Sequence, residues 1–243
     1  MKKNIIENVK TILYALIIAL IIRSFLFQPF YIPSSSMEPN LLIGDRLFVT
    51  KYSYGYSRHS LPFSPKIFKG RIFNKNPKNG DVIVFKTPSD NRTDYIKRLI
   101  GMPGDTIQFL NGDIFLNGKI VEKKELNLTL DIQCGSQTFK ANFYEETLPN
   151  GNKYVTAYRK EGTMLNSDLY TVPKKHFFFL GDNRDCSKDS RFLGSVGYVS
   201  YQNLVGKAQL IFFSNDKKKG SLFQFWKLKN ILRFERFFKK ITW

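Results

Sequence analysis

The feature that most constrains this chain is its first thirty residues. Met1–Lys10 carries Lys2, Lys3 and Lys10 against Glu7. A dense apolar run follows from Thr11 to Ile22, then Arg23-Ser24 and a second apolar patch, Phe25-Leu26-Phe27. Crossing a hydrocarbon core takes roughly 20 helical residues. Thr11 to Phe30 reaches that length once Arg23 snorkels toward the far interface, where Phe25, Phe27, Phe30 and Tyr31 would form an aromatic belt. A cleaved secretory signal has the same basic start and apolar centre. No small-x-small cleavage site follows, and Gln28-Pro29-Phe30-Tyr31 is bulky, so the segment reads as an uncleaved signal-anchor. The positive-inside rule places Met1–Lys10 in the cytoplasm and the rest outside.

Downstream the pattern is short and β-like. Asp45–Lys51 and Asp81–Lys86 are rich in β-branched and aromatic residues, and each follows a glycine. Asn111-Gly112 and Asn117-Gly118, flanked by apolar residues, predict two tight hairpins. No βαβ rhythm is present, so the expectation is a mostly β fold without a parallel sheet. Tyr56–Lys78 has no acidic residue and reads as a solvated loop, a candidate for contact with anionic lipid. Glu122–Asp168 reads as polar with scattered short strands. After Ser214 the chain is basic and aromatic. Lys229, Arg233, Arg236 and Lys240 fall on one helical stripe, with Ile231, Phe234, Phe238 and Ile241 opposite. That spacing predicts an amphipathic helix, lying on lipid or docked on protein. The expected division is 1–28 as cytoplasmic N-terminus and anchor, 29–214 as an extracytoplasmic β-rich domain, and 215–243 as the tail.

Three segments could carry chemistry. Ser34-Ser35-Ser36-Met37 follows the anchor directly. In Asp94–Gly101, strand alternation sets Lys97 on the face of Tyr95 and Leu99, and Arg98 on the face of Ile96 and Ile100. One of two adjacent cations must therefore face an apolar side. Alternation leaves open which, although a desolvated lysine loses its proton far more readily than an arginine. Gly181–Arg191 is rich in small polar and charged residues after the apolar Phe177–Leu180. Two Cys and two His in 243 residues argue against a dedicated zinc site and exclude a disulfide scaffold, and no metal or cofactor is expected. Cys134 and Cys186 are left open as free or bridged.

Together these segments resemble the type I signal peptidases. Pro33-Ser34-Ser35-Ser36-Met37 is similar to the nucleophile segment. Leu42-Ile43-Gly44-Asp45, Gly80–Phe85, and Tyr95–Arg98 with Gly101–Asp105 follow in family order. So do Gly181–Asp185 with Ser187, Asp189, Ser190 and Arg191, and then Asn203–Gly206. The resemblance implies an antiparallel β-sheet catalytic domain on one N-terminal transmembrane helix, held at the bacterial cytoplasmic (inner) membrane with the domain on the periplasmic side. It implies Ser36 as nucleophile, Lys97 as general base, and Ser34 with the Ser36 N–H as oxyanion donors. It further implies that Ser187 orients Lys97, that Asp189 and Arg191 pair in support, and that Ile32, Met37, Leu41, Val84, Tyr95 and Ile96 form substrate pockets. The implied partners are exported preproteins with small residues at −1 and −3 of the cut, and membrane lipids.

Other readings fare worse. A Ser-His-Asp hydrolase would need His59 or His176, and no Gly-x-Ser-x-Gly elbow presents a serine. A self-cleaving repressor of the SOS type would carry a DNA-binding helix-turn-helix and no anchor. The net charge of +18 motivates a membrane-tethered binder of polyanions or lipid surfaces without proteolysis. The anchor argues instead for membrane-facing charge and no nucleic-acid partner.

Overall fold

Beyond an N-terminal helix, alternating apolar residues and asparagine–glycine turns give a mostly β molecule of antiparallel strands. The computed structural model describes residues 2–159, 165–221 and 223–241. Helix α1 (Lys2–Ile21) runs through a π-helical turn at Ile22–Leu26 into β1 (Phe27–Tyr31). After β2 (Asp45–Thr50), two short strands, β3 (Tyr56–Ser57) and β4 (Arg71–Ile72), pair with each other. β5 (Val82–Lys86) and β6 (Asp94–Gly101) form a hairpin. β7 (Thr106–Leu110), β8 (Asp113–Leu116) and β9 (Lys119–Ile120) form a meander. β10 (Glu122–Cys134) and β11 (Gln137–Thr147) make a long hairpin extended by β12 (Lys153–Arg159). β13 (Tyr170–Thr171) pairs with β7. β14 (His176–Leu180) lies between β6 and β15 (Val199–Ser200). β16 (Leu204–Ser214) and β17 (Lys239–Lys240) close the series.

The main sheet has the order β1-β2-β16-β5-β6-β14-β15, with β17 on β16. Both predicted hairpins form. Asn111 and Gly112 take φ 52° and 82°, and Asn117 and Gly118 take 54° and 73°. Two successive left-handed residues are what a twisted two-residue turn requires.

The segment Ile5–Leu26 is long and apolar enough to cross a membrane, and Ser24, near its end, is its one buried residue. Ile32, Met37 and Leu41 pack with Leu47, Val49, Val82 and Val84 into one core cluster. That cluster seats the start of the domain on β2 and β5. Burying each such side chain contributes about 1.5–3 kcal/mol.

Two expectations from sequence change here. Residues 122–147 are not scattered short strands but one long hairpin, largely exposed on both faces of β10. The tail is not a single amphipathic helix. It is broken into a 3-10 turn at Phe225–Lys227, a one-turn helix at Leu228–Ile231, a second 3-10 turn at Phe234–Arg236, and β17. Tertiary partners override its periodicity: Ile231 is fully buried, Arg233 donates to the Ile43 carbonyl at 2.9 Å, and Arg236 pairs with Asp45 at 2.6 Å. Ile231, Arg233 and Arg236 dock on protein, whereas Phe225, Trp226, Phe234 and Phe238 stay exposed.

Candidate active site

The turn after β1 is held from both sides. Ile32 N–H donates to the Asp45 carbonyl, and Gly44 N–H returns a bond to the Ile32 carbonyl. Buried Met37 and Leu41 pin the far end, with Leu41 N–H on the Met37 carbonyl at 2.9 Å. From the opposite side Asn183 donates its backbone N–H to the Ser36 carbonyl at 3.1 Å and its side-chain amide to the Ser35 carbonyl at 3.2 Å. Three adjacent serines make the choice of hydroxyl ambiguous in sequence. In the structure Lys97 Nζ donates to Ser36 Oγ, and Ser34 Oγ lies 3.4 Å from that same oxygen.

Lys97 and Arg98 are both buried, and their partners differ. Arg98 donates Nε and Nη2 to the two Asp182 oxygens, each at 2.7 Å, and Nη1 to the Gly80 carbonyl at 2.8 Å. Its charge therefore persists. No carboxylate among the described residues forms an ion pair with Lys97. Burial pushes the Lys97 ammonium down to about 8, and the more distant Asp189 and Asp182 offset this only in part. A lysine in that range is a base at near-neutral pH.

The loop after β14 supplies the supports. Arg191 donates Nε and Nη2 to the Asp189 carboxylate at 2.8 and 2.9 Å, and Gly181 N–H donates to it at 3.0 Å. Burial alone would raise the Asp189 carboxyl, but the Arg191 charge and these hydrogen bonds hold it below its usual value. Ser187 departs from expectation. Its Oγ is buried and closes no hydrogen bond with Lys97. It lies near enough to Asp189 to help keep that carboxylate ionised, without hydrogen-bond geometry. Gly181 must be glycine by close approach, since a Cβ there would stand 2.2 Å from Ser187 Oγ and 2.5 Å from the Ser36 carbonyl oxygen.

A cleft of about 400 Å³ opens over the pair. Ile32, Val84, Tyr95 and Ile96 line it, as do Ser34, Ser36 and Lys97. Met37 and Leu41 do not. Both are fully buried in the core cluster below, so they support the cleft without reaching its surface. Cys186 borders the cleft and is bridged to Cys134, with Cα atoms 5.3 Å apart. Among the described residues no three His, Cys, Asp or Glu side chains converge as a metal site.

Several residues went unassigned in sequence. Asn40 donates to Asp182 at 2.7 Å, which ties the serine turn to the Arg98 pair. Glu146, on β11, accepts two bonds from buried Arg184 at 2.6 and 2.5 Å, plus the Tyr154 and Tyr158 hydroxyls. Asp182, Asn183 and Arg184 carried a signal, a polar run just after an apolar strand. Glu146 carried none.

The fold and site define an antiparallel β protein with a buried serine–lysine pair at the base of an extended cleft. The family model described as signal peptidase, peptidase S26, matches residues 5–213. Signal peptidase I of Rickettsia typhi is 40% identical over 221 residues, covering 87% of this chain and 81% of that protein. The Rickettsia bellii protein (strain OSU 85-389) is 39% identical over 257 residues, covering 98% and 86%. A crystal structure of a signal peptidase I from Enterococcus faecalis aligns with TM-score 0.33 at 26% identity, over 55% of this chain and 97% of that one. The chain belongs to the signal peptidase family, peptidase S26. Membership makes it a serine-type peptidase of signal-peptide processing.

Proposed function

We propose that the protein is a membrane-bound endopeptidase that removes N-terminal signal peptides from exported preproteins, with Ser36 as nucleophile and Lys97 as general base. The observation that carries this is the hydrogen bond from a buried lysine without a carboxylate partner to Ser36 Oγ. Ser36 Oγ attacks the scissile carbonyl while Lys97 Nζ takes its proton. The Ser36 N–H and Ser34 Oγ receive the oxyanion. Lys97 then protonates the leaving amine, and the acyl group remains on Ser36. A water deprotonated by Lys97 hydrolyses the ester and restores the serine. Arg98–Asp182 and Arg191–Asp189 hold the strand and loop that flank the pair. The buried, unpartnered Ser187 Oγ is the hydroxyl assigned to orient Lys97.

The substrate would add as a strand. β14 pairs with β6 from Arg98 onward, so Asp94–Lys97 keep a strand edge that β14 does not cover. A peptide on that edge gains main-chain hydrogen bonds. Its first and third residues before the cut then point the same way, because side chains alternate. Ile32, Val84, Tyr95 and Ile96 leave room there for small side chains. The apolar Ile5–Leu26 segment supports a single span of the bacterial cytoplasmic membrane, and its basic N-terminus supports the domain facing the periplasm. Residues 1–28 would then form the anchor, 29–214 the catalytic domain and 215–243 a tail.

The test is cleavage of a purified precursor in detergent by Ser36→Ala and Lys97→Ala, with wild type as control. Each variant is expected to lose cleavage while melting cooperatively. Retained cleavage in either would overturn the mechanism. Ser34→Ala should lose about 10²–10³ in rate, as for one oxyanion donor. Protease added from outside should remove the domain and spare Met1–Lys10.

A further inference from the structure

Beyond Phe30 and Asp94, which border both, a second and larger groove of about 680 Å³ adjoins the cleft. Its charge is one-sided. Arg23, Arg58, Lys66, Lys86 and Arg92 line it, against Asp90 and Asp94. Both carboxylates are engaged locally. Asp90 accepts from the Thr87 and Thr93 hydroxyls and the Arg92 N–H, and Asp94 pairs with Lys86 at 2.9 Å. Arg23, Arg58, Lys66 and Arg92 have no carboxylate in an ion pair among the described residues.

The loop that carries Arg58 is built rather than loose. Ser57 caps it, accepting the His59 N–H at 3.2 Å while its own N–H donates to Ser60 Oγ at 3.2 Å. Beneath, the buried Lys51 ammonium donates to the Ser60 carbonyl at 3.2 Å. The buried His59 ring accepts from Arg58 Nε at 3.2 Å and meets Ser64 Oγ at 3.0 Å. Burial pushes that ring down to about 4, and the charges that push further are Arg58, Lys86, Arg71 and Lys51, all cationic. With five cations against two carboxylates in its lining, the groove keeps a net positive charge.

Its position and its lip say what kind of anion fits. Arg23 belongs to the last turns of the apolar Ile5–Leu26 segment. Phe63, in left-handed backbone at φ 63°, stands fully exposed at the groove margin. A free anion has no use for an apolar lip, and an acidic peptide has none for placement at the end of an apolar helix. We propose that this groove binds the phosphate headgroup of an anionic membrane phospholipid, with Phe63 beside its glycerol and acyl ends. The proposal rests on α1 spanning the membrane, but not on the assignment of nucleophile or base.

The experiment uses the full chain in uncharged detergent. It is titrated with dioctanoyl-phosphatidylglycerol, dioctanoyl-phosphatidylcholine, inorganic phosphate and an acidic peptide, and bound ligand is read by native mass spectrometry. Wild type should prefer the anionic lipid by about tenfold or more. Each of Lys66→Gln and Arg92→Gln should lower that affinity about fivefold, and Arg58→Gln likewise. Precursor cleavage in detergent and the melting temperature of Lys66→Gln/Arg92→Gln should match wild type, which separates lost binding from misfolding. Equal binding of the two lipids, or undiminished binding in the double variant, overturns the proposal. Inorganic phosphate binding as well as the lipid makes this a free-anion site and overturns it too. Displacement of the lipid by the acidic peptide assigns the groove to substrate instead. Carbonate extraction of membranes reads the spanning of α1 separately, so either failure is seen by itself.

Discussion

Asp182 receives Arg98 in a two-point ion pair, 2.7 Å at both oxygens, with both side chains almost wholly buried. The neighbouring Lys97 is equally buried and has no such partner. One strand thus carries two cations in opposite states. Arg98 is neutralised and structural, whereas Lys97 is desolvated and hydrogen-bonded to a hydroxyl. The pair also holds the serine turn, because Asn40 donates to the same Asp182 oxygen as Arg98 Nη2.

Removing one partner is therefore expected to cost far more than removing both. Asp182→Asn leaves Arg98 buried without its counter-charge, a loss of about 3–5 kcal/mol. Arg98→Met with Asp182→Leu should recover about half of that loss, since no charge is then stranded. Urea unfolding of the three proteins checks the order.

Lys97 sets a pH limb. With Lys97 as the proposed general base, only its free amine would accept the Ser36 proton, so the cleavage rate should rise with pH through about 8 and fall below it. Stability moves in the same direction. An unfolded lysine titrates near 10.5. Between about 8 and that value the unfolded chain holds the extra proton, so folding weakens as pH drops across the window. The full effect is on the order of 3 kcal/mol. Lys97→Met should be inactive, yet melt at or above the wild-type temperature at pH 7. A lower melting temperature would show that burial of this amine does not oppose folding.

Local chemistry was legible in the sequence, and distant pairing was not. The Asn111-Gly112 and Asn117-Gly118 turns form as expected, because their geometry is decided within the turn. Alternation in Asp94–Gly101 put Lys97 and Arg98 on opposite faces. The choice between them depends on Asp182, 84 residues away, which no local pattern reports. In β10 the alternation of Leu126, Leu128, Leu130 and Ile132 with Asn127, Thr129 and Asp131 marks a strand, but its length and its pairing with β11 are not local features, and most of the strand is exposed rather than packed on a core. The tail misled in the other direction. Its helical spacing is real, but Asp45 and the Ile43 carbonyl capture Arg236 and Arg233 and break the helix into turns. Met37 and Leu41 follow Ser36 closely in sequence, yet their size and apolarity send them into the core.

Gly181 should tolerate no side chain. A Cβ would strike Ser187 Oγ at 2.2 Å, Ser187 Cβ at 2.4 Å and the Ser36 carbonyl at 2.5 Å, so the loop must withdraw from the serine turn. Gly181→Ala is expected to lower kcat about 10²-fold or more, on the rule that an ångström of misplacement costs that much. KM should change less, because most of the cleft wall belongs to β1, the residues after it, β5 and β6, and only Cys186 and Lys188 come from this loop. Steady-state kinetics on a precursor peptide separates the two.

The Cys134–Cys186 bridge fastens the tip of the β10–β11 hairpin to the loop bordering the cleft. It closes a loop 52 residues long, for which chain entropy gives about 4 kcal/mol. Phosphine reduction should lower both the melting temperature and the cleavage rate. Cys134→Ser should reproduce both effects and be insensitive to the reductant, which separates loss of the bridge from chemical side effects.

The tail should matter to the site although it stands outside the family match. Arg236 donates Nε and Nη2 to Asp45 at 3.0 and 2.6 Å, and Nη2 also to the Asn40 carbonyl at 2.9 Å. Asp45 in turn accepts Ser214 Oγ at 2.6 Å and the Leu42 N–H at 2.8 Å, while its carbonyl holds the Ile32 N–H. One guanidinium thus ties the end of the chain to both ends of the serine turn. Arg236→Gln leaves a buried carboxylate short of its cation and should cost about 1.5–3 kcal/mol. Arg236→Lys restores charge without the two-point grip, so stability should return only in part. If the turn depends on this anchor, kcat falls with stability in Arg236→Gln and recovers partway in Arg236→Lys. A melt that drops while kcat holds would confine the tail to a structural role.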